Sequence, residues 1–207
     1  MSSKGLSTII VADLNRYYSH HGRDITSEGK AMIIRGTIFH LIFSRGFRAI
    51  FCFRLRNHAE KNRIPLLGGM IGIVDVILNG IEIHPHARIG PGLFMPHPQC
   101  IVIGAGAVLG SNITINQGVT IGASPGKEID GQVEPVVEDN VLLGAGAKII
   151  GPITIGANAM IGANAVVVRD VPAWTVAVGV PAGIVNKVEI PYHELLKLTC
   201  QKKEKAT

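Results

Sequence analysis

The chain carries an aliphatic residue or Met at every sixth position through most of its second half. The pattern falls into three phased blocks and covers thirteen positions: Ile83, Ile89 and Met95; Ile103, Leu109, Ile115 and Ile121; Val137, Leu143, Ile149, Ile155, Ile161 and Val167. A period of six is neither the 3.6 residues of an α-helix nor the two residues of a flat strand, but it suits short strands that coil into a solenoid. We therefore expect a mainly β fold with these side chains in a narrow interior.

Corner residues agree with this expectation. Gly or Asn often follows the in-phase residue, as at Gly104, Asn116 and Gly162. Both residue types accept the positive φ angles that tight corners need. A narrow interior has little room for rings, and only three aromatic residues follow residue 54.

Two breaks in the phase mark where the solenoid wall is interrupted. The interval from Met95 to Ile103 is eight residues, and that from Ile121 to Val137 is sixteen. Insertions in repeat proteins bulge from one face and often form the binding site. His97 lies in the first break and Lys127 in the second, which makes them the first candidates for a functional site.

Charge divides the chain into two parts. Residues 1–80 contain eleven Lys and Arg against five Asp and Glu, whereas residues 81–207 contain nine against ten, so the two parts carry +6 and −1. This asymmetry predicts that two architectures join near residue 80. We divide the chain into an N-terminal helical segment, 1–80, a repeat domain, 81–185, and a C-terminal tail, 186–207.

The first apolar stretch with helical spacing is 31–56. Ile34 and Ile38 recur on one side and Arg45 and Arg48 on another, which predicts one amphipathic helix with a basic face. Such a face is ordinarily solvated. It could also hold the protein at an anionic membrane surface, on the inner face of the membrane.

The second stretch, 64–81, is apolar on all sides. Asp75, Asn79 and the pair Gly68-Gly69 interrupt it, which counts against a bilayer span. We expect a helix buried at a subunit contact.

Cysteines and the first residues bear on location. Cys52, Cys100 and Cys200 are widely spaced and form no C-x-x-C motif, which fits a reducing cytoplasm. The start of the sequence lacks a basic region followed by an apolar stretch and a cleavage site, so we expect no export signal and a cytoplasmic protein. Basic residues are not interleaved with aromatics on a recognisable module, so no nucleic-acid partner is expected.

Residues 81–185 resemble the hexapeptide-repeat acyltransferases, and within them the serine acetyltransferase-like branch. This resemblance implies a left-handed parallel β-helix, usually assembled as a homotrimer, which here follows an α-helical segment. The matching stretches are IEIHP (81–85), PHPQCIVIG (96–104), QGVTIG (117–122), GAGAKIIG (144–151), IGANAVVVRDVP (161–172) and VGVPAGIV (178–185).

The resemblance also implies an activity, the transfer of an acetyl group from acetyl-CoA to a hydroxyl without a metal. His97 matches the general base of the family, and Glu82 matches the carboxylate that orients it. An imidazole with a pKa near 6.5 can accept the proton of an alcohol that attacks a thioester. CoA in the family lies between coils of neighbouring subunits and meets mostly backbone, which implies these contacts: Gly122, Ala123, Lys127, Gly144, Ala145 and Ala163. Gly144 equally fits a structural corner.

The acceptor site departs from the serine enzymes. Those enzymes have an Asp before the catalytic His, where this chain has Pro96, and a basic-His-Pro sequence in the long loop, where it has Val133 and Glu134. The change removes a cation that would pair with an amino acid's carboxylate. We therefore favour a sugar of a capsule, exopolysaccharide or lipopolysaccharide precursor as acceptor, held in part by Pro96 and Glu134. Serine, as in cysteine biosynthesis, is the alternative.

Two further interpretations remain open at this point. His84 and His86 have a spacing that can place two imidazoles on one strand face, as in a zinc hydratase. A solenoid without catalytic activity could serve as a scaffold. Cys100 lacks a second base nearby, so a thiol nucleophile is disfavoured. His20, His21 and His40 carry no motif, and the basic tail with Lys202, Lys203 and Lys205 is expected to be solvated.

Overall fold

A computed structural model describes residues 5–19, 22–195 and 198 of the chain. His20, His21, Cys200 and the lysines of the tail lie outside these described residues. Helices occupy the first part of the chain and short strands the second. The helices are α1 (Leu6–Ser19), α2 (Lys30–Phe43), α3 (Arg45–Lys61) and α4 (Pro65–Asn79).

The single amphipathic helix predicted over 31–56 is wrong, because the chain breaks at Ser44. This residue is extended, with φ −111° and ψ 105°. Its N–H donates to the carbonyl of His40 and closes α2, and its Oγ accepts from the N–H of Phe47 at 3.5 Å and caps α3. A serine that satisfies backbone groups at both helix ends stabilises the break.

One arginine of the basic face expected on this stretch is engaged within the fold. Arg48 donates to Oδ1 of Asn79 on α4 at 3.3 Å and to the carbonyl of Leu41 on α2 at 3.3 Å. Its guanidinium therefore joins three helices.

An ion pair attaches the helices to the first coil. Asp13 of α1 and Arg54 of α3 are both buried, and Nε of Arg54 lies 2.8 Å from Oδ2 of Asp13. Oδ1 of Asp13 accepts from the N–H groups of Gly92 and Leu93 at 2.8 and 2.9 Å. Arg54 also donates to two carbonyls of the coil, including that of Ile89 at 2.7 Å. Backbone groups and the opposite charge together satisfy the hydrogen-bonding groups of both side chains. These contacts offset the free-energy cost of removing the ion pair from water.

Short strands form the three walls of the solenoid. The first wall holds β1 (Glu82–Ile83), β3 (Val102–Ile103), β6 (Thr120–Gly122), β9 (Lys148–Ile150) and β12 (Val166–Val167). The second holds β2 (Arg88–Ile89), β4 (Val108–Leu109), β7 (Val136–Val137) and β10 (Thr154–Ile155). The third holds β5 (Thr114–Ile115), β8 (Leu142–Leu143), β11 (Met160–Ile161), β13 (Thr175–Val178) and β14 (Gly183–Lys187). All pairs are parallel except β13 with β14.

The strand register confirms the six-residue period. In the first wall Ile83, Ile103, Ile121, Ile149 and Val167 stand directly above one another. Twelve of the thirteen in-phase side chains are buried, and the remaining one, at the first turn of the second wall, is half-buried against the core. The repeat domain is a left-handed parallel β-helix. The predicted fold class is confirmed.

Apolar side chains of α2 and α4 face outward. On α4 the side chains of Leu66 and Ile77 are 78% and 74% exposed, and on α2 that of Phe43 is 70% exposed. Among the described residues, nothing covers these apolar side chains of α4. Over the described residues, no helix has both the length and the apolar character needed to cross a bilayer.

Candidate active site

The first phase break forms a loop, residues 95–101, where the chain passes from the third wall to the first. Met95 is fully buried at its start, and the N–H of Cys100 donates to the carbonyl of Gly80 at 2.9 Å near its end. Between them the N–H of Gln99 donates to the carbonyl of His97 at 2.9 Å. Both ends are fixed and the His97 side chain is exposed. The loop therefore presents an accessible imidazole on a constrained backbone.

Two helices support this loop from behind. The buried Tyr17 hydroxyl of α1 donates to the carbonyl of Met95 at 3.2 Å and lies 3.4 Å from its N–H. Gly46 of α3 packs so closely that a Cβ there would overlap the Met95 carbonyl oxygen. Burial raises the pKa of Tyr17, so its phenol stays protonated and keeps its donor at neutral pH.

The helices and the loop together enclose a groove of about 710 Å³. Among the described residues that line it there are two imidazoles, one guanidinium and several rings, but no carboxylate. The lining residues are Tyr17, Phe39, His40, Phe43, Ser44, Arg45, Phe94, Pro96, His97, Pro98 and Gln99. Pro96 thus lies in the groove with His97, and its contact with substrate stays a prediction.

Rings from three elements meet at the base of the groove. The Tyr17 ring lies 4.8 Å from that of Phe94 and 5.5 Å from that of His40, centroid to centroid. The buried Arg16 lies over Phe94 and donates to Oγ1 of Thr114 at 3.1 Å. Burial lowers the pKa of Arg16 to about 10, which leaves it cationic at neutral pH. This contribution of the helices was not predicted, and its signal in the sequence is the concentration of aromatic residues before residue 54.

Glu82 lies near the loop but in a different groove. Its strand begins two residues after Gly80, to which the His97 loop is hydrogen-bonded. The exposed Glu82 side chain lines a smaller groove of about 330 Å³ with Arg56 and His84. Of the hydrogen bonds that the described residues form, none joins Glu82 to His97. The orienting role of Glu82 stays a prediction.

One edge of the solenoid connects the His97 loop with part of the expected CoA site. The carbonyl of Gln99 accepts a hydrogen bond from the N–H of Gly118 on the next coil. The carbonyl of Gln117 on that coil accepts one from the N–H of Gly146 on the coil that follows. On the coil of Gly146 the carbonyl of Ala145 accepts from the N–H of Asn164 at 2.7 Å. The residues Gly144, Ala145 and Ala163 therefore continue the edge that begins at the loop.

The other expected CoA contacts lie elsewhere in the chain. Gly122 ends β6 at the far edge of the first wall, and Ala123 and Lys127 follow it in the exposed loop made by the second phase break. One chain therefore presents the six residues as two groups, one at each edge of the first wall. A single chain does not bring them together.

Gly144 has a clear structural role. A Cβ at this buried residue would lie 2.6 Å from the carbonyl oxygen of Ile161 and 2.7 Å from the N–H nitrogen of Ala163 on the next coil. Close coil packing alone therefore requires glycine here. Its contact with CoA stays a prediction.

Glu134 is also placed away from His97 within the chain. Its carboxylate covers Gly104, where it would overlap any added Cβ, and one of its oxygens is buried without a hydrogen bond among the described residues. It does not line the groove of His97. Its assignment to the acceptor site stays a prediction.

His84 and His86 lie side by side on the first coil, with ring centroids 5.1 Å apart. Nδ1 of His84 accepts from the N–H of His86 at 3.2 Å, so that nitrogen serves a local turn. Within the part of the chain that is described, no group of three or more His, Cys, Asp and Glu side chains is arranged to hold a metal ion.

Comparison with known proteins gives the chain its relatives. The family described as bacterial transferase hexapeptide (six repeats) matches residues 134–169. A serine acetyltransferase of Synechococcus elongatus is 41% identical over 142 residues, which are 69% of this chain and 57% of that protein. One from Staphylococcus epidermidis is 42% identical over 153 residues, which are 74% of this chain and 71% of the relative.

Solved structures agree with these relatives. The crystal structure of Neisseria gonorrhoeae serine acetyltransferase superposes with a TM-score of 0.73 at 37% identity, covering 92% of this chain and 69% of that one. The structure of the same enzyme in complex with serine superposes with a TM-score of 0.71 at 38% identity, covering 86% of this chain and 68% of that one. A serine acetyltransferase in complex with CoA superposes with a TM-score of 0.71 at 32% identity, covering 89% of this chain and 71% of that one.

The coiled walls and the hexapeptide match define the class of the protein as the hexapeptide-repeat acyltransferases. The relatives at about 40% identity and the solved structures at more than 30% identity are serine acetyltransferases, which narrows this class to one family. The chain belongs to the serine acetyltransferase family. It spans only 57% of the length of the Synechococcus relative.

The expectation of a saccharide acceptor is wrong. The relatives at about 40% identity are serine acetyltransferases, and a similar structure has been solved with serine bound. The expectation rested on Pro96, Val133 and Glu134 alone. It overlooked that α1, α2 and α3 build much of the groove around His97, so a few changed loop residues do not define the acceptor.

Proposed function

We propose that this protein is a serine O-acetyltransferase, which moves the acetyl group of acetyl-CoA to the hydroxyl of L-serine. The observation that carries the proposal is the similarity to serine acetyltransferases over about 70% of the chain, with an accessible histidine in the first phase break. The groove beside that histidine has the volume for a small amino acid and the end of a thioester.

His97 is the general base in this proposal. Its imidazole takes the hydroxyl proton of serine while the serine oxygen forms a bond to the thioester carbonyl carbon. The C–S bond then breaks, and the imidazolium returns the proton to the departing sulfur. The products are O-acetylserine and free CoA thiol, and His97 ends in its starting state.

Glu82 orients the imidazole in this proposal. Its strand starts beside the loop that carries His97, and Gly80 and Cys100 join the two segments. A carboxylate at this position would stabilise the imidazolium that forms as the hydroxyl is deprotonated. Hydrogen bonds of a catalytic site often tighten only when substrate is bound.

Acetyl-CoA fits the edge of the solenoid that begins at the His97 loop. Small residues such as Ala145 and Ala163 leave the backbone accessible along this edge, so a long ligand can approach it closely. The second group, Gly122, Ala123 and Lys127, would contact the ligand from a neighbouring subunit, with the exposed ammonium of Lys127 available to a phosphate. This arrangement requires an oligomer.

The assembly in this proposal is a homotrimer in the cytoplasm. Its subunit contacts would cover apolar side chains that α4 exposes, such as Leu66 and Ile77. Cys52 and Cys100 are free thiols, which suits a reducing compartment. Peripheral contact of the basic residues in 31–56 with an anionic membrane is the competing hypothesis, and salt-sensitive flotation with anionic liposomes would support it.

The proposal is tested by an acceptor assay. Purified protein is supplied with acetyl-CoA and L-serine, and both free thiol and O-acetylserine are measured, the latter by mass spectrometry. We expect saturable transfer to L-serine and none to L-alanine, which has the same shape without the hydroxyl. Thiol release that L-serine does not raise above the hydrolytic background would refute the proposed function.

A further inference from the structure

The groove beside His97 contains a cation that comes from the helical segment and not from the repeat domain. Arg45, the first residue of α3, lines this groove and is exposed. Its side chain forms no hydrogen bond or ion pair with any described residue. It is also the only Lys or Arg among the described residues that line the groove.

The surroundings leave this charge uncompensated. No Asp or Glu lines the groove among the described residues, and the rest of its wall is imidazole, hydroxyl, amide, proline and aromatic carbon. A site with one guanidinium and no carboxylate is electrostatically complementary to an anion. Arg is suited to a carboxylate in particular, because its planar fork can donate two parallel hydrogen bonds.

The position of Arg45 relative to His97 is fixed by packing. The neighbouring Gly46 lies against the carbonyl of Met95, two residues before His97, and admits no side chain there. Ser44, on the other side of Arg45, caps α3 and lines the same groove. The backbone of Arg45 is therefore held against the start of the loop that carries His97.

We propose that Arg45 binds the carboxylate of the acceptor amino acid, in the same groove as His97. The assignment rests on the proposed function, since only an acceptor with a carboxylate needs this contact. It supplies the cation that is missing at Val133 and Glu134, and it comes from the helical segment instead of the long loop. The helices thus contribute to acceptor specificity as well as to the fold.

The test compares Arg45→Gln and Arg45→Lys with the wild type, using L-serine and its neutral amide, L-serinamide, as acceptors. We expect Arg45→Gln to raise KM for L-serine about 10- to 100-fold, because a charge-assisted pair is lost, and to abolish the preference for serine over serinamide. Arg45→Lys should recover part of that preference. Arg88→Gln, an exposed arginine of β2 outside the groove, is the matched control and should leave both acceptors unchanged.

The outcomes distinguish the assignment from the function on which it rests. Unchanged KM for serine in Arg45→Gln, with a wild type that acetylates serine, overturns the assignment alone. A rise in KM for acetyl-CoA without one for serine also overturns it, because the anion would then be a phosphate of CoA. A wild type inactive on serine and serinamide alike would overturn the proposed function itself. Melting temperatures of the variants identify any loss caused by misfolding.

Discussion

His97 carries the most direct prediction at the scale of single residues. Replacing it with Ala removes the base that accepts the hydroxyl proton, so turnover should fall by about two to four orders of magnitude. The measurement is initial rate of thiol release at saturating acetyl-CoA and serine. His86→Ala is the control, because His86 is exposed on the first coil and does not line the groove. Turnover of His97→Ala within a few-fold of the wild type would remove His97 from the mechanism.

The sequence identified some site residues and not others for a physical reason. His97 could be found because it interrupts a strict period, and an interruption is visible along the chain. Tyr17 and Arg45 reach the groove only through the packing of α1 and α3 against the loop, which no local pattern records. The ion pair of Asp13 with Arg54 likewise joins residues 41 positions apart.

Helix α3 provides a prediction at the scale of the element, through Gly46. A methyl group there would overlap the Met95 carbonyl and also approach the Tyr17 hydroxyl, so α3 must move away from the loop. Gly46→Ala should lower the melting temperature and reduce kcat, since the wall of the groove and the backbone before His97 both shift. Gly69→Ala on α4 is the matched control. Its added Cβ meets nothing within 4 Å, so it should stabilise the helix slightly. Equal melting temperatures for the two variants would contradict this packing.

Helix α4 gives a prediction about pH through Asp75. Burial raises the pKa of Asp75 to about 6, while a hydrogen bond from Asn79 and the nearby Arg56 and Arg48 oppose that shift. Asp75 is protonated in both states below its ordinary pKa of 3.8. As pH rises from about 4 to 6, the unfolded chain ionises first, so the free energy of unfolding decreases and then stays reduced.

Asp75→Asn removes this pH-dependent loss while keeping an acceptor for Asn79. Its melting temperature should exceed that of the wild type at pH 7.5 and match it near pH 4, in scans at several pH values. Glu128→Gln, at an exposed loop position, should change neither. A lower melting temperature for Asp75→Asn at pH 7.5 would mean that the two arginines outweigh burial.

The elements differ in how far the sequence predicts them. One side chain in every six points into the interior, so the repeat predicted the strands β1 to β12, whereas β13 and β14 lie beyond its last residue, Val167. The helices gave a weaker signal, because α2 and α4 carry apolar residues on their outward sides and lack a clear polar face. Because the helices lack a clear polar face, the residues around Ser44 resembled one continuous amphipathic helix, and the break at Ser44 was not predicted.

At the scale of the whole molecule, the distribution of exposed apolar surface is unusual for a single subunit. The in-phase aliphatic residues of the repeat domain are buried almost completely, whereas α2 and α4 expose large apolar side chains along their length. Ile34 and Ile42 of α2 are each 60% exposed, and Met70 of α4 is exposed to the same extent. Monomeric proteins rarely expose contiguous apolar faces of this kind, so an oligomer that covers them is the state expected in solution.

Light scattering after size exclusion tests the assembly directly. We expect a mass of three times the 22.0 kDa of the chain, or a multiple of that.

Ile77→Glu places a charge at a position of α4 that is 74% exposed in one chain, and if a subunit contact covers α4 the variant should dissociate towards smaller species. It should also lose activity with its assembly, because the proposed acetyl-CoA site takes contacts from two subunits. Ile184→Glu is the matched control, since this residue lies on β14, is 54% exposed and belongs neither to α4 nor to the proposed acetyl-CoA site. A wild-type mass of one chain at micromolar concentration would contradict the oligomer, and an unchanged mass for Ile77→Glu would mean that α4 is free for another partner, such as a membrane surface.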